Sequence, residues 1–87
     1  RCAMSENRIL THAAKILNER QDEYGDPVEL LTTIADRWSI TTGERITREQ
    51  VVLCMIDLKL ARLDYDPRHF DSIVDVIGYA VLLNELR

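Results

Sequence analysis

The sequence predicts an all-α protein, a four-helix bundle that assembles into an oligomer. Apolar residues recur at helical spacing in four stretches, and short segments with glycine or proline separate them. Only 3 glycines and 2 prolines occur among 87 residues, which favours a few long helices over many short strands. The third stretch is apolar around most of its circumference, so it needs neighbours on several sides. A chain this short has a small core, and association between copies is therefore expected.

The first helix is predicted over residues 5–24, with Ser5 as its N-cap and Gly25 at its end. Its polar face includes His12, which is predicted to point away from the core. Arg20 continues the apolar arc instead, and two interpretations stay open for it. Its aliphatic stem lies along the core with the guanidinium in solvent, or the guanidinium points into a polar pocket.

The second and third helices both begin with a pattern typical of a capping box. In this motif a small polar side chain accepts from the helix backbone, and a Glu or Gln three residues later bonds back to it. The pairs are Asp26 with Glu29, and Thr47 with Gln50. Pro27 suits the first helical position because no N–H is needed there. The second helix is therefore predicted over residues 27–41, ending near Gly43.

The third and fourth helices, residues 48–63 and 67–86, are predicted to form a hairpin across a tight connection. In this prediction Asp66 caps the last helix and Pro67 takes its first position. His69 then follows as an N3 residue beside the cap. Side chains near the end of the third helix and the start of the fourth come to similar heights, so they can meet.

Four charged residues occupy those positions on the hairpin. Lys59 and Arg62 share one arc of the third helix, and Asp71 and Asp75 lie one turn apart on the fourth. Because an unpaired buried charge is very expensive, each pair needs the other or a ligand. One interpretation is a purely structural network of salt bridges. The other is a phosphate site, in which the cations face phosphate and the two carboxylates hold Mg²⁺.

Composition limits the classes of function. The formal net charge of −4 argues against a nucleic-acid partner, which needs a basic surface, but not against a small phosphorylated ligand. No apolar run is long enough to span a membrane, and no signal peptide is visible. Cys2 and Cys54 form no metal-binding cluster, and Cys54 is predicted to be a reduced core thiol, which indicates the cytoplasm. Residues 1–4 are interpreted as a tag or frayed terminus, and residues 5–87 as one domain.

A set of motifs along nearly the whole chain supports a family resemblance. These are Tyr24-Gly25-Asp26-Pro27, Ala35 with Trp38, Met55 with Lys59-Leu60-Ala61-Arg62, and His69 with Asp71-Ser72, Asp75 and Gly78-Tyr79-Ala80. The pattern resembles a small phage-encoded domain of uncharacterised function. That group is in turn similar to the all-α, MazG-like nucleoside triphosphate pyrophosphohydrolases.

The resemblance implies a MazG-like helical bundle that forms a dimer or tetramer. It also implies Mg²⁺-dependent hydrolysis of an NTP or dNTP to the monophosphate and pyrophosphate in the host cytoplasm. Asp71 and Asp75 would be the catalytic metal ligands. The residues expected to contact the substrate are Arg20, Tyr24, Lys59, Arg62, His69 and Tyr79.

The chain departs from the enzyme motif, which pairs a Glu-Glu-x-x-Glu helix with a Glu-x-x-Asp helix. Asp75 looks like the aspartate of the second half, but Ser72 stands where its glutamate is expected. Asp71 can take that place from one residue earlier. The first half is missing, since the third helix offers only Asp57. Two alternatives follow, a module that binds a nucleotide without hydrolysing it, and a helical protein-interaction domain.

Overall fold

The computed structural model describes residues 7–86, apart from the side chains of residues 21–24. It contains α1 (Arg8–Tyr24), α2 (Pro27–Thr42), α3 (Arg48–Tyr65) and α4 (Phe70–Glu85). No strand occurs in this part of the chain. The prediction of an all-α chain with four helices is therefore confirmed. The expectations for Ser5, Cys2 and residues 1–4 lie outside the described residues.

The ends of α2 and the start of α3 follow from local sequence signals. Asp26 Oδ1 accepts a hydrogen bond from Val28 N–H at 2.9 Å, so Asp26 caps α2. The predicted return bond from Glu29 is not among the hydrogen bonds of the described residues, so the capping box predicted there was wrong. Gly43 ends α2 with a φ of 74°, a left-handed conformation that glycine adopts without strain. The predicted capping box forms at α3, where Thr47 and Gln50 exchange hydrogen bonds of 3.2 and 2.8 Å.

The connection between α3 and α4 differs from the prediction. α3 continues to Tyr65, and Asp66 closes it as the C-cap while its carboxylate accepts from the N–H of Arg68 at 3.2 Å. The N-cap of α4 is His69, not Asp66, and α4 begins at Phe70. The prediction was wrong because Asp66 and His69 can both cap a helix. The Asp66 carboxylate accepts the N–H of Arg68 in the turn, so it does not cap α4.

α4 is the central helix of the described chain, because it packs against α1, α2 and α3. α3 packs against α2 and α4. The main core cluster lies between α2, α3 and the end of α4. Its buried residues are Leu31, Ala35, Val51, Val52 and Leu86.

One face of α3 has no cover from the other described helices. Leu53 and Leu60 lie close together on one side of this uncovered part and are each 49% exposed, whereas Leu58 lies at its opposite edge and is 53% exposed. Cys54 is also exposed, so the prediction of a core thiol was wrong. Periodicity predicted an apolar helix correctly, but it does not tell which of its sides the same chain covers.

The bundle is elongated, with extents of 47 × 31 × 23 Å. Its radius of gyration is 14.2 Å, whereas a compact domain of this length has a value of about 12 Å. Among the described helices, none has the length and apolar character needed to cross a membrane.

Candidate functional site

A polar pocket of about 440 Å³ lies between α1, the end of α3 and the start of α4. Six of the residues predicted to form a site line it together. They are Arg20, Lys59, Arg62, His69, Asp71 and Asp75. His12, Ile16, Ser72 and Val74 complete the lining. We call this the polar pocket.

The Asp75 carboxylate is at the centre of the charges in the polar pocket. Its Oδ2 lies 2.9 Å from Lys59 Nζ, and its Oδ1 lies 3.2 Å from Arg20 Nη2. The side chains of Asp75 and Lys59 are only 12% and 15% exposed, whereas that of Arg20 is 50% exposed. Each carboxylate oxygen therefore already has a cationic partner. Of the two interpretations of Arg20, the structure shows the one in which its guanidinium points into a polar pocket.

Arg62 and Asp71 also line the polar pocket, but both are exposed. Neither forms an ion pair with another described side chain. The predicted network of four charges is therefore present only as the Lys59–Asp75 pair, and Arg20 supplies the second cation. An arginine without a close carboxylate is available to an anionic ligand.

His69 is fixed at the start of α4 by the hydrogen bonds of its ring. Nδ1 accepts the backbone N–H of Ser72 at 3.2 Å and lies 2.6 Å from the Ser72 hydroxyl, which is buried. In the tautomer in which Nδ1 accepts from the Ser72 N–H, the neutral ring carries its proton on Nε2. The Nε2–H group is then available as a donor. The prediction that His69 lies beside the cap was wrong, since it is the cap itself.

His12 is a pocket residue that the sequence interpretation placed on the wrong side. It is half-buried, lines the polar pocket, and packs on Phe70 with ring centroids 5.3 Å apart. The start of α4 covers this side of α1, which periodicity on α1 alone does not reveal. One signal was present, because His12, Ile16 and Arg20 recur every four residues and form one stripe of α1.

A second cavity, of about 280 Å³, lies on the other side of the Arg20–Asp75 pair. We call it the apolar cavity. Tyr79 lines this cavity and not the polar pocket, and the side chain of Tyr24 lies outside the described residues. The apolar residues of the wall are Leu17, Pro27, Leu30, Leu31, Ile34, Val51, Met55, Val81 and Leu82. Arg20 and Asp75 line both spaces.

Residues 8–87 match the family described as "Domain of unknown function (DUF6378)". The chain belongs to this family. The DUF6378 domain is 40% identical over 81 residues to the Gene 55 protein of Mycobacterium phage L5, covering 91% of this chain and 52% of that protein. It is 37% identical over 78 residues to the Gene 55 protein of Mycobacterium phage D29, covering 88% of this chain and 51% of that protein. No solved structure matches the chain.

These relatives confirm the predicted kinship with small phage-encoded helical domains of unknown function. The chain spans about half the length of the curated relatives that it matches. Their names state no activity, and a relationship with MazG-like enzymes is not shown by these matches.

Of the two predicted Mg²⁺ ligands, only Asp71 has a carboxylate without an ion pair to a described side chain. Mg²⁺ prefers octahedral oxygen ligands, usually including a free carboxylate. Both oxygens of Asp75 face cations instead, at 2.9 and 3.2 Å. The described residues also contain no group of three or more His, Cys, Asp or Glu side chains that could hold a metal ion. With three cations and two carboxylates, the polar pocket suits an anion better.

Proposed function

We propose that this DUF6378 domain binds a nucleotide, or another small phosphorylated ligand, through phosphate groups in the polar pocket and without Mg²⁺. The observation that carries the proposal is the arrangement of cations. Arg20, Lys59 and Arg62 line one pocket, and among the described side chains Arg62 has no carboxylate partner. Guanidinium groups bind phosphate through paired, charge-assisted hydrogen bonds.

The cations have different roles in this proposal. Arg62 is exposed and meets the phosphate without first breaking an ion pair. Arg20 is half exposed, so it can turn from Asp75 to the ligand at little cost. Lys59 stays with Asp75, which it contacts at 2.9 Å, and adds positive potential from the wall. The Nε2–H of His69 supplies a further donor.

The resemblance to MazG-like pyrophosphohydrolases supports a nucleotide as the ligand and makes an enzyme the second candidate. In that candidate, Asp71 and Asp75 ligate Mg²⁺ and the protein releases monophosphate and pyrophosphate. The incomplete acidic motif and the pairing of Asp75 favour binding without turnover. The third candidate is an interaction domain whose charges are purely structural.

A nucleotide panel tests the proposal. We expect NTPs or dNTPs to raise the melting temperature of the protein with or without Mg²⁺, and to be recovered intact by chromatography. Arg62→Gln should weaken binding about ten- to a hundredfold, because a charged hydrogen bond is worth roughly 1.5–3 kcal/mol. Arg37→Gln, at an exposed position of α2 outside both pockets, is the matched control and should bind normally.

Two outcomes of this panel would contradict binding without turnover. Monophosphate release that needs Mg²⁺ and is lost in Asp71→Asn would establish the hydrolase, and Asp71 is exposed, so that variant should fold. If nucleotides are neither bound nor hydrolysed, the ligand proposal is wrong and the interaction domain is favoured.

We also propose that the domain forms a dimer or tetramer in the host cytoplasm through the exposed face of α3. The support is the pair of half-exposed leucines on one side of α3, Leu53 and Leu60, together with the elongated shape. Apolar groups that lack cover in one chain are stabilised by burial against another.

Light scattering tests this assembly. At micromolar concentration we expect at least twice the mass of one chain, and Leu60→Asp should lower the mass because it places a charge in the contact. Thr32→Asp, at an exposed position of α2, is the control. A stable monomer of the unaltered protein would overturn the assembly proposal.

A further inference from the structure

We infer that the apolar cavity is a subsite for the ring system of the ligand, so that the domain binds an aromatic phosphorylated compound such as a nucleotide more tightly than phosphate alone. This inference rests on the proposed function of the polar pocket. It adds a second recognition site that selects the class of ligand.

The apolar cavity is adjacent to the polar pocket. The two spaces, of about 280 and 440 Å³, share Arg20 and Asp75 in their walls. A ligand with phosphate in the polar pocket therefore has the apolar cavity next to it. Taken together the two spaces fall within the range of roughly 300–1,000 Å³ that is typical of small-molecule sites.

The wall of the apolar cavity has the composition of a small-molecule site. Most of the lining is aliphatic, from Leu30 and Leu31 on α2 to Val81 and Leu82 on α4. A few residues with polar groups interrupt it, among them Asn18, Tyr79 and Glu85. Small-molecule sites combine an apolar wall with a few polar groups in this way, because the wall buries a ring and the polar groups orient it.

The Arg20–Asp75 pair connects the two subsites, because both residues line the polar pocket and the apolar cavity. When Arg20 turns to the phosphate, the Oδ1 of Asp75 loses its partner, and Asp75 lines the apolar cavity as well as the polar pocket. A carboxylate oxygen accepts hydrogen bonds, and the ring edges of nucleobases carry N–H donors. One side-chain movement would thus engage the phosphate and prepare an acceptor for the ring.

Calorimetric titration with three probes tests the inference. Tripolyphosphate presents the phosphates alone, whereas dATP and dTTP present them with a ring. We expect at least one of the nucleotides to bind about tenfold more tightly than tripolyphosphate, with a more negative heat-capacity change from burial of the ring.

Substitutions in the cavity wall provide the second arm. Val81→Phe should fill the cavity, and since Val81 is 39% exposed the fold should tolerate the ring. We expect it to remove the preference for nucleotides and to leave the affinity for tripolyphosphate unchanged. Ile40→Phe, at a position 82% exposed and outside both spaces, is the control. If Val81→Phe does not fold, Leu30→Gln makes the half-exposed part of the wall polar without adding bulk.

The outcomes separate this inference from the proposed function. If tripolyphosphate binds as tightly as either nucleotide and Val81→Phe changes neither affinity, the ring subsite is wrong and the phosphate site stands. If none of the probes binds, the proposed function itself fails. If Val81→Phe lowers the oligomer mass but leaves the nucleotide preference intact, the cavity wall belongs to a contact between copies, which also overturns the inference.

Discussion

Asp75→Leu should destabilise the domain by about 3 kcal/mol. The substitution leaves Lys59 Nζ, on a side chain only 15% exposed, without the carboxylate that now lies 2.9 Å away. Breaking such a buried pair by removing one partner costs roughly 3–5 kcal/mol, because the other charge stays buried and uncompensated. Arg20 contributes little to this cost, since its half-exposed guanidinium can turn into solvent.

The double variant Lys59→Met with Asp75→Leu should regain most of that stability. It removes both buried charges at once, and apolar side chains of similar size can replace a buried pair at little or no cost. The free energy of unfolding is measured by urea denaturation at fixed protein concentration. Glu19→Leu is the control, because the Lys15–Glu19 pair is long, at 4.0 Å, and exposed, so its loss should change stability by less than about 0.5 kcal/mol.

A double variant as unstable as Asp75→Leu alone would show that stability depends on the charges and not on filling the space. The double variant also tests the proposed binding of phosphate. If the polar pocket binds phosphate, the double variant should bind tripolyphosphate less tightly than the unaltered protein, because the cation at position 59 is gone.

The helices could be predicted because their ends are set by neighbouring residues. Thr47 and Gln50 form the expected box, and α2 ends at Gly43 as expected, with a positive φ there. The start of α4 was missed for the same reason, since Asp66 and His69 offer competing caps three residues apart. Local signals decide a boundary only where one cap stands alone.

The candidate site was predictable in part. The two carboxylates on an otherwise apolar helix predicted a cationic partner, and Lys59 does contact Asp75. Sequence spacing on the hairpin favoured Arg62 as the second cation, but Arg20 from α1 takes that place. The distance along the chain between Arg20 and Asp75 is 55 residues, so only the packing of α1 on α4 brings them together.

The separation of the polar pocket from the apolar cavity could not be predicted from the sequence, for a related reason. Tyr79 was grouped with His69 as a pocket residue, yet it lines the apolar cavity beyond the Arg20–Asp75 pair. Both residues lie near one another along the chain, but the ion pair divides the space between them. Such a division depends on contacts among three helices, which periodicity within one helix does not describe.

Leu31→Ala should cost about 3 kcal/mol in the free energy of unfolding. Leu31 is 5% exposed and belongs to the core cluster that holds α2 against α3 and α4. Removing a buried leucine side chain costs roughly 2–5 kcal/mol, through lost burial and the cavity that remains. Small domains have a free energy of unfolding of only about 5–15 kcal/mol, so this single substitution removes a large fraction of it.

Leu30→Ala is a matched comparison, because Leu30 is the preceding residue and also lines the apolar cavity. It is 47% exposed, so its truncation should cost less than about 1 kcal/mol. Urea denaturation of both variants separates the two roles of this wall. If the costs are equal, Leu30 is buried in solution, which means that another copy or a ligand covers the mouth of the cavity. A large difference shows that the mouth is open and that Leu31, unlike Leu30, anchors α2 to the core.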